Sequence, residues 1–401
     1  MNNDIAFSEY IARVRDFIHL QAGPWEEFRT PAPSRAEAQF NELALSLFAL
    51  QFRHNPVLRP LCESRGLRPE CVTDWRQIPA VPTAAFKDYE VTTLPPAQRT
   101  TLFLSSGTTE QRPSRHFHDA ASLSVYESSL LPWFQAHLLA GLAACAPSAT
   151  ATTSTKSSER MSLICLTPSP ALAPHSSLVH MMETVSRSFP WRDCLFGGRV
   201  EADGAWTLDM EQVVSALEKA ATANAPLALL GTAFGFVHLL DYLAAHRRRF
   251  RLPAGSRVME TGGYKGRSRG LSKTDLHTLI SQSLGIPEPY IVCEYGMSEL
   301  SSQAYDRPAG FAGIGDQVAK RVFRFPPWAR AQIISPETGR EVGHGETGLI
   351  RVFDLANVHS VLAVQTEDLG VRRDDGLELL GRVATATPRG CSLMSADEGR
   401  K

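Results

Sequence analysis

The chain has 401 residues, a formal net charge of −1 and a hydrophobic fraction of 43%, values that are ordinary for a globular protein. This length allows either one large domain with subdomains or two to three domains. The near-neutral charge excludes the global basic field of nucleic-acid binders, so we predict no nucleic-acid partner. Seven scattered cysteines, with no CxxC pair and no Cys/His metal spacing, predict reduced thiols and a cytoplasmic location.

The first 75 residues predict a helical N-terminal region. The opening segment, MNNDIAFSEYIARVRDF, has the pattern of an amphipathic helix rather than that of a signal peptide. Apolar residues then recur at helical spacing between Ala36 and Gln51. The most apolar stretch, Leu227 to Ala245, is interrupted by His238 and Asp241, so we predict no membrane span.

The next distinctive feature is the run LFLSSGTTEQRPSRHF, in which an apolar strand pattern ends in a cluster of small hydroxyl residues. Backbone N–H groups around a glycine, hydroxyl donors and nearby arginines are the parts of a phosphate cradle. The run is neither a Walker loop nor a dinucleotide fingerprint, and an ordinary turn is the alternative. The predicted phosphate loop consists of Ser105, Ser106, Gly107, Thr108 and Thr109, with positive charge supplied by Arg112 or Arg115.

Strand and helix patterns alternate through the middle of the chain. MSLICLTPSP, PLALLGTAF, SRVMETGG and PYIVCEYGMSEL are each an apolar strand that enters a small-residue turn. Ser272 and Gly285 have the residue types of a helix N-cap and a helix end. This alternation predicts an α/β fold with largely parallel sheets, in which ligands bind at the turns that follow the strands.

After residue 305 the pattern changes to short strands separated by Gly and Asp turns, which predicts a small β-rich subdomain. We therefore divide the chain into a helical region at 1–75, an α/β core at 76–305, a β-rich subdomain at 306–380 and a short tail at 381–401.

Two turns of the α/β core carry candidate ligand-binding residues, each with an ordinary structural turn as the alternative. METGGYKGRSR combines three cations with a glycine pair, Gly262 and Gly263. EYGMSEL places an aromatic ring, a hydroxyl and a carboxylate in one turn, which suits stacking on a base, contact with phosphate and binding of Mg²⁺. The residues concerned are Tyr295, Ser298 and Glu299, with Gly296 between them.

Two turns of the β-rich segment add further candidates. TEDLG presents Asp368 after a strand, where a carboxylate can accept hydrogen bonds from both hydroxyls of a ribose. LLGRV presents Arg382 in a β-turn, where a solvated arginine is the usual alternative.

The order of these segments along the chain resembles that of the adenylate-forming superfamily, which includes acyl-CoA synthetases and luciferases. Within it the chain is most similar to the LuxE family, the acyl-protein synthetases of bacterial luminescence operons. The resemblance covers roughly residue 75 to the end. The matching strings are IPAVPTAAFK, SSGTTEQRPSR, PHSSLVHMM, GTAFGFVHLLDYL, ETGGYKGRSR, YGMSELSSQAYD and GRVATATPRGCSL.

The resemblance implies both the fold and a two-step reaction. The fold would be the N-terminal domain of an adenylate-forming enzyme, with mixed, largely parallel sheets flanked by helices, a small β-rich subdomain and a largely absent C-terminal lid. A carboxylic acid, with a fatty acid as the first expectation, would react with ATP to give an acyl-adenylate, and the acyl group would pass to a thiol. Positioning and compensation of phosphate charge are the main requirements of such a reaction.

The resemblance also implies residue roles. The loop Ser105 to Thr109 would hold the β- and γ-phosphates of ATP, and the pair Gly262 and Gly263 would allow close approach of adenine or substrate. Tyr295 would stack on adenine, Ser298 would contact the α-phosphate, Glu299 would bind Mg²⁺, Asp368 would bind the ribose and Arg382 would sit at the hinge.

Two departures from the superfamily pattern bear on these roles. Glu110 stands where phosphate loops usually have glycine, and the lid that carries a lysine assisting adenylation is missing. Lys265 and Lys401 are the nearest candidates for a substitute.

LuxE proteins carry the acyl group on a cysteine near the C-terminus before a reductase collects it, and Cys391 in PRGCSLM matches that position. The resemblance thus implies an acyl-CoA reductase-like or carrier-protein partner. Two alternatives remain open: a ligase that passes its adenylate directly to coenzyme A, a carrier protein or an amine, and a non-catalytic nucleotide-binding subunit of a reductase complex.

Overall fold

The structure is a computed structural model that describes residues 6–23, 34–105, 112–142, 161–262, 271–311, 313–314, 317–318 and 321–382. No helix in these ranges is long and apolar enough to cross a membrane. The helices are α1 (Phe7–Gln21), α2 (Ser34–His54), α3 (Leu58–Glu63), α4 (Ala85–Asp88), α5 (Ala120–Leu138), α6 (Ser177–Ser188), α7 (Met210–Thr222), α8 (Ala233–Ala245) and α9 (Lys273–Leu284).

The strands form two large sheets and three hairpin-sized sheets. In chain order they are β1 (Val81–Pro82), β2 (Thr101–Leu104), β3 (Arg115–His118), β4 (Ser162–Cys165), β5 (Cys194–Phe196), β6 (Gly198–Val200), β7 (Trp206–Leu208), β8 (Leu227–Thr232), β9 (Arg257–Thr261), β10 (Ile291–Tyr295), β11 (Ala304–Tyr305), β12 (Gly313–Ile314), β13 (Gln317–Val318), β14 (Ala329–Ile334), β15 (Thr347–Asp354), β16 (Ala363–Arg373) and β17 (Gly376–Arg382).

The six-stranded sheet has the order β11-β10-β9-β8-β4-β5, and every pairing in it is parallel except that of β10 with β11. Both faces are buried, which explains the near-continuous apolar runs of its strands. Leu230, Met259 and Val292 face the core that includes α5 and α6. The alternate residues, such as Val258 and Ile291, face the core of α7, α8 and α9. The predicted α/β fold with largely parallel strands is thus confirmed.

The five-stranded sheet has the order β1-β16-β15-β14, with β17 on β16, and lies against the N-terminal helices. Tyr10 of α1 donates to the carbonyl of Leu355 at 2.8 Å. Gln51 of α2 donates to the carbonyl of Asn357 at 2.7 Å, and its own side-chain oxygen accepts from the N–H of Leu362 at 2.8 Å. These buried amide contacts satisfy backbone groups at the end of the sheet and fix the two helices on it.

Residues at the two ends of α9 fix where this helix begins and ends. Ser272 caps α9 by accepting from the N–H of Asp275, and Gly285 ends that helix in the left-handed region at φ +72°, both as predicted.

The short strand β1 pairs in parallel with β16, with Val81 opposite Val364. A strand from residues 76–305 thus completes the sheet that residues 306–380 build, while the division of the chain into four segments stays a prediction.

Candidate active site

Three of the predicted site residues meet where β10, β16 and β17 come together. Tyr295 is the last residue of β10, and its hydroxyl donates to Asp368 Oδ2 at 3.0 Å. Arg382 lies opposite Asp368 in the pairing of β16 with β17, and its Nε donates to Asp368 Oδ1 at 3.3 Å. Both oxygens of the Asp368 carboxylate are therefore held by groups that the sequence had placed in separate motifs.

The turn that follows Tyr295 is attached to the base of the predicted phosphate loop. His116 Nδ1 lies 2.8 Å from the carbonyl oxygen of Ser298, and the Ser114 hydroxyl hydrogen-bonds the Glu299 carboxylate. Ser114 in turn closes the base of the loop, because its N–H donates to Ser105 Oγ at 2.8 Å and its carbonyl accepts from the N–H of Ser105 at 3.1 Å. Glu299 thus lies beside Ser114, one of the two residues that flank the predicted loop.

The electrostatic surroundings of Glu299 combine two opposing effects. Burial raises the pKa of this carboxyl, whose residue is only 6% exposed. The hydrogen bond from Ser114 and the positive charge of Arg382 lower the pKa, and the negative charge of Asp368 raises it further. Because Arg382 acts on both carboxylates, the two motifs belong to one electrostatic cluster.

A second set of contacts fixes the residues after Glu299. Asp354 accepts from the N–H of Ser301 at 2.9 Å and from the Ser302 hydroxyl at 2.7 Å. Asn357 Nδ2 donates to the carbonyl of Glu299 at 3.0 Å. Sequence reasoning missed these supporting residues, together with Ser114 and His116, although the run DLAN at the end of a buried strand was a signal for Asp354 and Asn357.

The two glycines of the predicted turns that the structure describes play different parts. Gly262 has φ +75°, and a Cβ there would meet no atom within 4 Å, so its backbone conformation is what favours glycine. A Cβ on Gly296 would lie 2.4 Å from Glu294 Oε1. Gly296 therefore makes room for the Glu294 side chain, another residue that sequence reasoning missed.

Arg115, one of the two arginines predicted to supply positive charge, lies on β3 with its Nη1 3.5 Å from Glu90 Oε1. Glu90 also pairs with Arg99 at 2.8 Å. Arg115 is therefore partly neutralised by a carboxylate of its own chain. Its role toward phosphate stays a prediction.

Other predicted residues lie outside the described part of the chain: Ser106, Gly107, Thr108, Thr109, Gly263 and Cys391, with Glu110, Lys265 and Lys401. Within the described ranges, no group of three or more His, Cys, Asp or Glu side chains is placed to hold a metal ion. A single carboxylate such as Glu299 can hold Mg²⁺ together with phosphate oxygens and water, the arrangement that this ion prefers at nucleotide sites.

The fold defines the class of enzyme. The crystal structure of 2-hydroxyisobutyryl-CoA ligase in the postadenylation state, in complex with 2-HIB-AMP, matches with a TM-score of 0.61 at 14% identity and covers 88% of this chain and 72% of that chain. An open conformation of the same ligase, in complex with 2-HIB-AMP and CoA, matches with a TM-score of 0.58 at 15% identity and covers 90% and 81%. The fold is that of the adenylate-forming ligases, as predicted.

The family follows from sequence comparison. The model of the family described as "Acyl-protein synthetase, LuxE" matches residues 172–398, more than half of the chain, and the chain belongs to this family. A long-chain-fatty-acid–luciferin-component ligase of Vibrio harveyi is 21% identical over 369 residues, which are 88% of this chain and 86% of that protein. Its counterpart from Aliivibrio fischeri is 23% identical over 202 residues, 47% of this chain and 50% of that protein.

These findings confirm the predicted family and an enzyme of the acid–thiol ligase class that works through an acyl-adenylate. The roles of the individual site residues stay predictions.

Proposed function

We propose that this protein uses ATP and Mg²⁺ to activate a carboxylic acid and then passes the acyl group to a thiol of its own chain. An oxygen of the acid attacks the α-phosphorus of ATP, and the bond to the bridging oxygen breaks to release pyrophosphate. A thiolate then attacks the acyl carbonyl, and AMP leaves. The observation that carries this proposal is the cluster of Tyr295, Asp368 and Arg382, joined through Glu299 and Ser114 to the base of the phosphate loop.

The contacts of the cluster support separate roles for its residues in binding the ribose, the adenine and the α-phosphate of ATP. Asp368 offers two carboxylate oxygens, which can accept from the two hydroxyls of a ribose once the hydrogen bonds from Tyr295 and Arg382 are broken. In this proposal Tyr295, at the end of β10, lies against adenine, and Ser298, in the turn that follows, contacts the α-phosphate. Gly262 and Gly263 would let the nucleotide or the acid approach the backbone closely.

The charge balance supports a place for a divalent cation. Glu299 is buried beside the loop base, where Ser105 to Thr109 would hold the β- and γ-phosphates. An Mg²⁺ ion between this carboxylate and the phosphates would neutralise part of their negative charge. Arg382, released from Asp368 when the ribose binds, would lie at the hinge that precedes the segment carrying Cys391.

Family membership supports the proposed acid and acceptors. The relatives from Vibrio harveyi and Aliivibrio fischeri are named for long-chain fatty acids, so fatty acids are the first substrates to examine. Cys391 is the proposed acyl acceptor, and the thioester would then go to an acyl-CoA reductase-like enzyme or a carrier-protein thiol. A covalent thioester on a cysteine divides the transfer of the acyl group from the adenylate to the final acceptor into two easier steps.

Two measurements test this function. Acid-dependent exchange of labelled pyrophosphate into ATP should occur in the presence of Mg²⁺ and stop when the metal is chelated. Absence of exchange with every acid of a broad panel would refute adenylation.

Intact-mass analysis tests the acceptor. Incubation with ATP and an active acid should add one acyl group that hydroxylamine removes, and Cys391→Ala should abolish it. Cys71→Ala is the matched control, because Cys71 is a free and exposed cysteine elsewhere in the fold. An adduct that persists in Cys391→Ala would refute the role of Cys391, and exchange without any adduct would point to direct transfer to coenzyme A, a carrier protein or an amine.

A further inference from the structure

On the face of the six-stranded sheet that packs against α5, the side chains change from apolar to polar in the row nearest the carboxyl ends of the parallel strands. Leu230, Met259 and Val292 are in register on neighbouring strands, and all three are fully buried. Two residues further along, Thr261, Glu294 and Tyr305 are in register on β9, β10 and β11. An apolar row is thus followed by a buried polar row at the carboxyl ends of the parallel strands, the edge at which α/β sheets bind ligands.

This polar row lies next to the proposed site of adenylation. Glu294 immediately precedes Tyr295, and side chains alternate along a strand, so the two face opposite sides of the sheet. The Glu294 carboxyl is packed against the backbone of the turn that carries Ser298, as its Oε1 lies 2.4 Å from the position of a Gly296 Cβ. A group bound by Glu294 would therefore be close to the carboxyl end of an acid attached to the α-phosphate.

Hydrogen bonding in the row is incomplete. Thr261 donates to Glu294 Oε2, and the Tyr126 hydroxyl of α5 donates to the carbonyl of Ser177 at 3.3 Å. The Tyr305 hydroxyl is buried and has no hydrogen-bond partner among the described residues. Burial raises the pKa of Tyr305, and the nearby Glu294 carboxyl adds to that effect. A buried donor without an acceptor costs free energy, so the Tyr305 hydroxyl, which lies opposite Glu294 in the pairing of β10 with β11, calls for an acceptor.

The two side chains specify the chemistry of that partner. Once ionised, the Glu294 carboxyl, whose pKa burial raises to about 7, only accepts hydrogen bonds, whereas the Tyr305 hydroxyl has a proton to donate. A carbonyl or ether could accept from Tyr305 but give nothing to Glu294. An ammonium could donate to Glu294 but accept nothing from Tyr305. A hydroxyl does both, because it donates one proton and accepts through its lone pairs.

We propose that Glu294 and Tyr305 together bind a hydroxyl group of the substrate acid, so that the enzyme prefers an acid with a hydroxyl near its carboxyl end over the same acid without it. This inference rests on the proposed acid activation and names the class of acid. Both hydroxy fatty acids and short hydroxy acids satisfy it, and the length of the acid is set elsewhere.

The test compares acids that differ only in the hydroxyl. Pyrophosphate exchange is measured with hexadecanoic, 2-hydroxyhexadecanoic and 3-hydroxyhexadecanoic acid, and with the corresponding four-carbon acids. The wild type should give a kcat/KM at least about tenfold higher for one hydroxy acid than for its unsubstituted partner, since sites built to bind a hydroxyl reject the analogue that lacks it. Tyr305→Phe should reduce this ratio to less than about threefold, and Glu294→Gln, which keeps an acceptor, should retain part of it.

Tyr10→Phe is the matched control, because it removes another buried tyrosine hydroxyl that bonds the carbonyl of Leu355, outside the polar row. It should leave the ratio unchanged. A wild-type ratio near one for every pair, with exchange readily observed, would overturn this inference while leaving the proposed function in place, and it does so even if Tyr305→Phe fails to fold. A ratio that survives in Tyr305→Phe would overturn it as well. No exchange with any acid would instead overturn the proposed function on which it rests.

Discussion

The two large sheets contribute different kinds of residue to the candidate site. The six-stranded sheet supplies Glu294, Tyr295 and Glu299, each no more than 6% exposed. The five-stranded sheet supplies Asp368 and Arg382, and the Arg382 side chain is 66% exposed. Residues of the first sheet are fixed by the core around them, whereas Arg382 is held by one ion pair that water screens. Changes at Glu294, Tyr295 or Glu299 should therefore affect stability as well as chemistry, whereas changes at Arg382 should affect stability little.

The largest expected effect comes from Asp368→Ala. If this carboxylate accepts two ribose hydroxyls, its loss removes two charge-assisted hydrogen bonds, and kcat/KM for ATP in pyrophosphate exchange should fall about 100-fold or more. Asp368→Asn should recover part of the loss. Asp374→Ala is the control, since Asp374 is a 91% exposed carboxylate at the turn between β16 and β17. Equal ATP kinetics in Asp368→Ala and Asp374→Ala would contradict the ribose role.

An intermediate effect is expected from Glu294→Gln, and it concerns stability. Burial, the main cause, raises the pKa of Glu294 to about 7 from an ordinary 4.5, and the Thr261 hydrogen bond only partly offsets this. The folded protein therefore retains a proton that the unfolded chain has lost. The stabilisation from Glu294 is fully present below pH 4.5 and is lost as pH rises through 7.

Chemical denaturation of the wild type and of Glu294→Gln between pH 5 and pH 8 checks this sign. The variant should become more stable relative to the wild type as pH rises, by up to about 3 kcal/mol over the range. Asp354, whose pKa burial raises to about 6, is present in both proteins and cancels from the difference. Parallel stability curves for the two proteins would show that Glu294 does not titrate in this range.

The smallest effect on stability is expected from Arg382→Gln. Exposed ion pairs contribute about 0–1 kcal/mol, so the free energy of unfolding should change by less than about 1 kcal/mol, and less still at high salt. Urea denaturation at low and high salt measures this. A loss of several kcal/mol in the free energy of unfolding would contradict this expectation. It would show that Arg382 on the five-stranded sheet is held as firmly as the buried residues on the six-stranded sheet.

Short-range patterns explain what the sequence revealed. The cap at Ser272, the helix end at Gly285 and the strand-and-turn placement of Tyr295 each depend on a few neighbouring residues. Asp368 and Arg382 were found because their motifs resemble those of a known family. The sequence could also place the apolar cores, since strand and helix periodicity is local.

Long-range contacts explain what the sequence did not reveal. His116 and Ser298 are 182 residues apart, and Asn357 and Glu299 are 58 residues apart, so no local pattern joins them. Glu294 was missed for a different reason. A carboxylate within a strand is ordinarily assigned to solvent, and only the register of β10 between β9 and β11 shows that it is buried.

The closeness of Gly296 to Glu294 constrains the order in which this turn can change. An alanine at position 296 would put its Cβ 2.4 Å from Glu294 Oε1, so the carboxylate would have to leave the place where Thr261 bonds it. A smaller residue at position 294 removes that obstacle. A side chain at position 296 is therefore accommodated more easily where position 294 is not a glutamate. A substitution at either position should therefore disturb the hydrogen bond between Thr261 and Glu294 and change the acid that the enzyme accepts.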